Sequence, residues 1–461
     1  MFHKLIGDRA FYKRVLAVAL PIIIQNAVTN FVSLLDNIMV GQLGTVQMSG
    51  VSIVNQLMFV FNIFIFGVTS GAGIFTAQFH GSQDHDGVRQ TLRFKFASTM
   101  IITILGLAVF LIADTPLIRL YLRGEGDSAD AALSLEYGRQ YLQVMLLGLL
   151  PFALSNAYSS TLRETGQTLI PMIASTSAVL VNLVFNYILI FGHFGAPAMG
   201  VRGAALATAL SRYVELVIVV GWTQLHPDRN PFARDVYRKF HISGNLMKRI
   251  LIKGTPLMLN EAMWAIGMAL VNQCYSVRGL DVVAANNITS TISHMGSVVY
   301  LSMGNVVGII MGQMMGAGLP REEIKRSQLQ LTALSVGSCL VFGLALVGCS
   351  GLFPRIYNTS DTIRRLATTL ICINAAFMPF NAYAHATYFT LRSGGKTIVT
   401  FLFDSGFVWV LSVPIAFFLS RFTAVPIAPL YALCLSVDII KCVIAYFMLR
   451  RGAWIQNLAK K

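Results

Sequence analysis

Charged residues are scarce in this sequence. Only 12% of its 461 residues are charged, about half of the share found in soluble globular domains. Acidic residues are scarcer than basic residues, with 20 acidic against 35 basic. So few charges cannot cover a surface that faces water, which excludes an ordinary soluble domain. The 55% share of hydrophobic residues is typical of a polytopic α-helical membrane protein.

Cysteines are few, and the motifs of several common chemistries are missing. The six cysteines lie in or beside hydrophobic stretches of the C-terminal half, and none forms a metal-binding spacing. A nucleotide-binding GxxxxGK[ST] loop is lacking, as are the HExxH and GxSxG motifs of enzymes. No basic stripe alternates with aromatics. The sequence therefore predicts no cofactor, no nucleic-acid partner and no enzymatic activity.

Twelve hydrophobic stretches are long enough to cross a hydrocarbon core of about 30 Å, which takes roughly 20 helical residues. They cover 15–39, 52–79, 94–118, 140–161, 168–191, 203–222, 250–276, 286–315, 328–352, 366–391, 398–419 and 426–449. The first stretch contains Pro21, Asn26 and Asp36 and lacks a small-residue cleavage site, so we expect it to remain as a helix. The sequence predicts an all-α integral membrane protein with twelve transmembrane helices.

The basic residues fall mainly on one side of these predicted helices. With a cytoplasmic N-terminus, the cytoplasmic segments and helix ends carry 24 Lys and Arg residues and the opposite side carries 9, while Arg212 and Lys441 lie in helix interiors. The positive-inside rule explains the net charge of +15 and predicts that both termini are cytoplasmic. We expect a multi-pass protein of the inner (plasma) membrane.

An internal repeat divides the chain. A shift of 235 residues without a gap superimposes Pro21 on Pro256, and a shift of 229 superimposes residues 162–168 on 391–397. Each copy holds six predicted helices. Because six is even, both copies start on the same face of the membrane, which predicts a pseudo-two-fold axis along the membrane normal.

The repeat predicts two lobes and a connector. The N-lobe is 1–222, the cytoplasmic connector is 223–249 and the C-lobe is 250–461. Two lobes that meet at a seam are suited to rocking around a central site.

Acidic residues inside the predicted helices are the main candidates for function, since an ionised side chain at membrane depth costs at least a few kcal/mol unless it is paired. Five of the acids inside these helices are the candidates: Asp36, Glu215, Glu261, Asp404 and Asp438. Glu215 is three residues after Arg212, and Asp438 is three residues before Lys441. We predict an intrahelical ion pair for each of these two acids.

The other three acids, Asp36, Glu261 and Asp404, have no basic residue within one helical turn. They are predicted to be protonated or to bind a cation. Asn182 and Asn186 share one face of the fifth predicted helix, and Thr208 on the sixth offers a hydroxyl group. Carboxylate, amide and hydroxyl oxygens together suit Na⁺, or a proton on Asp36. Alternatively, the two Asn residues only bind neighbouring helices through hydrogen bonds.

Several motifs resemble those of the multidrug and toxic compound extrusion (MATE) transporters. They are Pro21 with DNIMVG at 36–41, the Gly-rich stretch 67–81, the LRxxG motif after the fourth and tenth helices, and GAALAT at 203–208. In that family a cation site combines an Asp on the first helix, two polar residues on the fifth and a Thr on the sixth. The resemblance implies that Asp36, Asn182, Asn186 and Thr208 bind the coupling ion, with Na⁺ as a possible metal.

The resemblance also covers the seventh helix, where Glu261 in NEAMW at 260–264 matches an acid found in many members. Members with an acidic pair in this lobe often carry the second acid on the tenth helix. The tenth predicted helix of this sequence contains no acid, so Asp404 on the eleventh is the available substitute. Asp36 and Glu261 fall on Val271 and Asn26 of the other copy, so neither acid is repeated. We predict a substrate site or second acidic site at Glu261, Asp404, Asn260 and Trp264, which favours organic cations.

These features predict a secondary antiporter. It exports amphiphilic, cationic small molecules in exchange for Na⁺ or H⁺ by alternating access, as a monomer in the lipid bilayer.

One alternative is a flippase for lipid-linked glycans with a similar two-lobe fold. Such proteins line their cavity with basic residues, and only Arg212 and Lys441 lie in the interior of predicted helices, away from their ends. Another alternative, a membrane-embedded enzyme, lacks a catalytic motif.

Overall fold

The computed structural model describes residues 5–122, 129–238, 240–357 and 359–460. These residues form helices and no β-strand, which confirms the predicted all-α class. The helices are α1 (Arg9–Gly41), α2 (Thr45–Gly81), α3 (His85–Ile112), α4 (Asp114–Tyr121), α5 (Ala129–Glu164), α6 (Leu169–Phe191), α7 (Val201–Leu225), α8 (Gly244–Ser276), α9 (Leu280–Gly316), α10 (Arg321–Cys349), α11 (Asp361–Ser393), α12 (Thr397–Phe422) and α13 (Ile427–Arg451).

Eleven of the described helices are long and apolar enough to cross a membrane, namely all except α4 and α8. Helix α8 has 33 residues and is therefore also longer than a bilayer core at 1.5 Å per residue. Asn260 and Glu261 near its centre lower its mean hydropathy. Each of the twelve predicted spans falls mainly on one of these twelve long helices.

The third predicted span, 94–118, is too long. Helix α3 ends at Ile112 and α4 begins at Asp114, whose carboxylate accepts hydrogen bonds from the Thr115 backbone N–H and from Arg139 Nε, the latter at 2.8 Å. Burial raises the pKa of Asp114, but the hydrogen bonds from Arg139 and Thr115 outweigh it and hold that pKa below its ordinary value. The hydrophobic pattern continued through Ile118, which packs in the core, and so it concealed the break.

The chain forms two compact units. The C-unit contains the described chain up to Ile23, Ala77–Gln83 and the chain from Thr255 onward; the N-unit contains Ile24–Thr76 and Asp84–Gly254. Helices α1, α2 and α8 therefore contribute to both units, and α1 and α8 each carry a proline, Pro21 or Pro256, within two residues of the division. The lobes 1–222 and 250–461 remain a prediction.

Each unit has its own hydrophobic core. In the N-unit, Val54, Leu142 and Ala205 are fully buried in a cluster built from α2, α5 and α7. In the C-unit, Met311 and Leu331 of α9 and α10 are fully buried in a second cluster.

A buried ion pair joins α3 to α5 in the N-unit. The Lys95 ammonium is fully buried and donates to Glu164 Oε2 at 2.5 Å, Ser160 Oγ at 3.0 Å and Thr161 Oγ1 at 3.1 Å. These three acceptors satisfy the three protons of the ammonium, as burial of a charge requires.

The segment after α13 packs against other parts of the C-unit. Gln78 near the end of α2 donates to the carbonyl oxygens of Ser393 and Gln456, at 2.8 and 3.1 Å, and accepts from the Leu458 backbone N–H at 2.5 Å. The Trp454 side chain is only 1% exposed. The segment is therefore part of the packed structure of the C-unit.

Candidate cation and substrate sites

The N-unit brings the four predicted cation ligands together. Asn186 Nδ2 donates to Asp36 Oδ1 at 2.5 Å and to Asn182 Oδ1 at 3.1 Å. Asn182 Nδ2 in turn donates to Thr208 Oγ1 at 3.2 Å. One chain of hydrogen bonds therefore connects α1, α6 and α7.

Local sequence explains this geometry. Asn182 and Asn186 are four residues apart, so both side chains lie on one face of α6, and both are buried. Gly203 allows α7 to approach α6 closely, because a Cβ atom there would come within 2.5 Å of the Leu189 carbonyl oxygen. Thr208 donates its hydroxyl proton to the Ala204 carbonyl at 3.0 Å and is thus oriented to accept from Asn182.

The predicted ion pair of α7 is confirmed. Arg212 donates to Glu215 Oε2 at 3.2 Å, and its guanidinium lies over the Phe152 ring at 4.9 Å from the centroid. Arg212 also attracts the Asp36 carboxylate electrostatically. The N-unit site therefore combines one carboxylate, two amides and one hydroxyl close to a cation that is already bound to an acid.

These groups suit a proton or a small monovalent cation. A proton would bind directly to Asp36. Na⁺ prefers oxygen ligands, so it would require the Asn186 amide to turn its oxygen, instead of its NH₂ group, toward the ion. Within the described residues, no group of three or more His, Cys, Asp and Glu residues is placed to hold a metal ion.

The C-unit contains a second polar network, built around Asn260 of α8. Its Nδ2 donates to Asp404 Oδ2 of α12 at 3.0 Å. Its Oδ1 accepts from the backbone N–H and the hydroxyl of Ser405, at 3.2 and 2.8 Å. Asn260 and Asp404, predicted to share a site, therefore lie in direct contact.

Asp404 was predicted to be protonated or to bind a cation, but it has a basic partner on another helix. Lys441 of α13 donates to Asp404 Oδ1 at 2.7 Å, and the two side chains are only 9% and 18% exposed. Lys441 was predicted to pair with Asp438 on its own helix, but its ion pair crosses to α12 instead. A search within one helical turn cannot detect such a pair. The ammonium also lies 5.2 Å from the centroid of the Phe403 ring.

Glu261 and Trp264 lie beside this network. Glu261 is adjacent to Asn260, repels Asp404 and is attracted by Arg392 of α11, and it forms no ion pair with any described residue. The Trp264 side chain is 41% exposed and lies outside the hydrogen bonds around Asp404. Instead, Trp409 of α12 donates to the Met263 carbonyl at 2.9 Å and ties α12 to α8.

Helix α12 is irregular around Asp404. Residues Leu402–Gly406 and Val408–Ser412 form π-helical turns within it. Such turns are rare and frequently mark functional sites. The sequence analysis missed this feature and also missed Ser405, and no sequence signal distinguishes a π-helical turn from the α-helix around it.

The sequence model of the MatE family matches residues 21–188 and 256–418. The chain belongs to the MatE family. The two matched segments start at Pro21 and Pro256, the pair that the internal repeat superimposes, so the MatE pattern occurs twice. The resemblance to MATE transporters is thereby confirmed, and with it a multi-pass membrane protein of a transporter family.

Individual relatives of this MatE chain cover nearly its full length. The "Probable multidrug resistance protein NorM" of Thermotoga maritima is 26% identical over 420 residues, which are 89% of this chain and 86% of that protein. The "Multidrug resistance protein PmpM" of Pseudomonas aeruginosa is 24% identical over 420 residues, 89% of this chain and 84% of that one.

A solved structure of a multidrug resistance MATE family transporter of the MOP superfamily, in an outward-facing conformation, has a TM-score of 0.86 to this MatE chain. The identity is 20%, and 98% of each chain is covered. At this identity the similarity shows the fold alone.

Proposed function

We propose that this MatE chain is a secondary antiporter that exports amphiphilic, cationic small molecules in exchange for Na⁺ or H⁺. The single observation that carries the proposal is the contact of Asp36 with Asn186 within a hydrogen-bonded chain that includes Asn182 and Thr208. The names of the relatives, which are multidrug resistance proteins, support the export of drug-like compounds.

The N-unit site provides a way to couple ion binding to a change of shape. A proton on Asp36 removes the negative charge that attracts the Asn186 amide, and Na⁺ competes with the same hydrogen bond. Either event changes the connection between α1 and α6. An ion that binds one arrangement of these helices more tightly shifts the population toward it, which is the basis of alternating access. The protein acts as a monomer with both termini in the cytoplasm.

The C-unit site supplies the preference for cationic substrates. Lys441 already neutralises Asp404, so Glu261 is the acid of this network that is available to a positively charged substrate. The exposed Trp264 ring, one turn further along α8, provides an aromatic surface for an amphiphilic cation.

A lipid-linked glycan flippase is less well supported. Its substrate carries a pyrophosphate group, which needs basic side chains that are not already neutralised. Arg212 and Lys441, the two basic residues predicted to lie inside helices, are bound to Glu215 and Asp404.

The proposal is tested with purified protein in proteoliposomes, under Na⁺ and H⁺ gradients imposed separately. We expect at least one gradient to drive efflux of a lipophilic dye cation such as ethidium, and collapse of that gradient to stop it. Failure of both gradients would contradict antiport. Binding of a pyrophosphate-linked lipid in place of the dye would favour the flippase.

A further inference from the structure

Lys441 neutralises Asp404 from within the protein. Its ammonium contacts one carboxylate oxygen at 2.7 Å, and the other oxygen accepts from Asn260 at 3.0 Å. Both carboxylate oxygens therefore have a donor, and the charge of Asp404 is compensated within the protein. The arrangement is a cation site whose cation is covalently part of the chain.

The internal repeat supports this interpretation independently. The shift of 229 residues that superimposes the two LRxxG motifs also places Arg212 on Lys441, in the last helix of each copy. The acids are not repeated, because Glu215 falls on Ile444 and Asp404 on Ser175. A basic residue is thus common to both copies, whereas the acid that binds it differs.

This difference separates the two sites. In the N-unit, Arg212 pairs with Glu215 on its own helix, so that pair does not bridge two helices. In the C-unit, Lys441 pairs with Asp404 on a neighbouring helix, at the centre of the polar network. The basic residue of the C-unit therefore joins two helices, whereas that of the N-unit pairs within its own helix.

We propose that Lys441 acts as a tethered cation that fills the Asp404 site and thereby confines ion coupling to the N-unit. Without its ammonium, Asp404 binds an external monovalent cation, either Na⁺ or a proton. Lys441 thus determines how many ions are coupled to each substrate. The proposal rests on the proposed antiport function and concerns the role of one unit within it.

Other charged and titratable groups influence the Asp404 site. They come from three helices and are Glu261 of α8, His385, Tyr388 and Arg392 of α11, and Asp438 of α13. Every variant compared below keeps these groups, so a difference between variants reports on Asp404 and Lys441.

The test measures cation binding in a background variant, Asp36→Asn, that lacks the carboxylate of the N-unit site. We expect Asp36→Asn alone to bind little radioactive Na⁺ and to have a melting temperature insensitive to Na⁺. If the cation is Na⁺, adding Lys441→Ala should raise Na⁺ binding at least tenfold. If it is a proton, the melting temperature should rise as the pH falls, because a ligand that binds the native state stabilises it. A further Asp404→Asn change should abolish the gain, and Lys441→Arg should not produce it.

Two results would overturn the proposal. One is the absence of any gain of Na⁺ or proton binding with Lys441→Ala. The other is a gain that persists after Asp404→Asn. Strong ion binding by Asp36→Asn alone would instead contradict the N-unit site of the proposed function, so the two failures are distinguishable.

A second measurement does not require the single Lys441 variant to fold. The double variant Lys441→Ala/Asp404→Asn removes both charges of the pair together, so neither of the two is left without its partner. We expect it to transport with the same number of ions per substrate as the unmodified protein. A reduced number of coupled ions in the folded double variant would show that the pair itself carries an ion, and the proposal would be wrong.

Discussion

Asn186 on α6 donates a hydrogen bond to Asp36 on α1 at 2.5 Å, a shorter distance than the 3.1 Å from Asn186 to Asn182 and the 3.2 Å from Asn182 to Thr208. The same Asn186 amide donates to Asn182 Oδ1 at 3.1 Å. Its contact with the charged group is therefore shorter than its contact with the neutral amide.

This inequality predicts graded effects of the two amides. Asn186→Ala removes a hydrogen bond to a charged group, worth about 1.5–3 kcal/mol, and should change the ion concentration for half-maximal efflux by about 10- to 100-fold. Asn182→Ala should change it by less than about tenfold. Efflux measured against ion concentration in proteoliposomes checks both variants, and a larger effect of Asn182→Ala would contradict the geometry.

Selectivity should depend on Glu261. Glu261→Gln keeps the volume of the side chain but removes the charge, so affinity for cationic substrates should fall about tenfold or more, while that for neutral ones should change little. Competition binding with a matched cationic and neutral pair measures this. Glu323→Gln, at an exposed position at the start of α10, is the control. Equal losses for both substrates would assign Glu261 to ion coupling.

The segment after α13 should contribute to stability. Trp454→Ala empties a fully buried site and should cost about 3–5 kcal/mol of the free energy of unfolding. Gly394→Ala should also destabilise, because a Cβ atom there would clash with the Trp454 carbonyl oxygen. Melting temperatures in detergent, compared with those of Lys460→Ala at an exposed position, report the effect. Unchanged melting for both variants would mean that the segment does not stabilise the C-unit.

The ion pair between Lys95 and Glu164 predicts a charge-dependent loss of stability. Lys95→Met leaves a largely buried carboxylate without its ammonium, which should cost about 3–5 kcal/mol. The double variant Lys95→Met/Glu164→Gln should recover part of this loss. Thermal unfolding of both variants tests the pair, and a double variant less stable than the single one would contradict the role of charge.

Much of the fold and of the N-unit site could be predicted from the sequence. Hydrophobic length alone indicated the long helices, and the spacing of Asn182 and Asn186 placed both on one face of α6. The ion pair of Arg212 with Glu215 lies within one turn and was predicted for the same reason. Each of these features depends on local spacing in the chain.

Features that depend on contacts between distant residues could not be predicted. Lys441 and Asp404 are 37 residues apart and meet only because α12 packs against α13. Lys95 was counted with the cytoplasmic charges, yet the structure buries it in an ion pair with Glu164 of α5. In each case the sequence shows a charge but not its partner.

The most direct test of the account is the effect of Asp36→Asn on efflux. The change preserves volume and leaves the Arg212–Glu215 pair intact, so the protein should fold and insert normally. Efflux of ethidium from proteoliposomes under the effective Na⁺ or H⁺ gradient is the measurement, with Glu323→Gln as the matched control. The account predicts that Asp36→Asn abolishes gradient-driven efflux while substrate binding persists. Full gradient-driven efflux by this variant would contradict it.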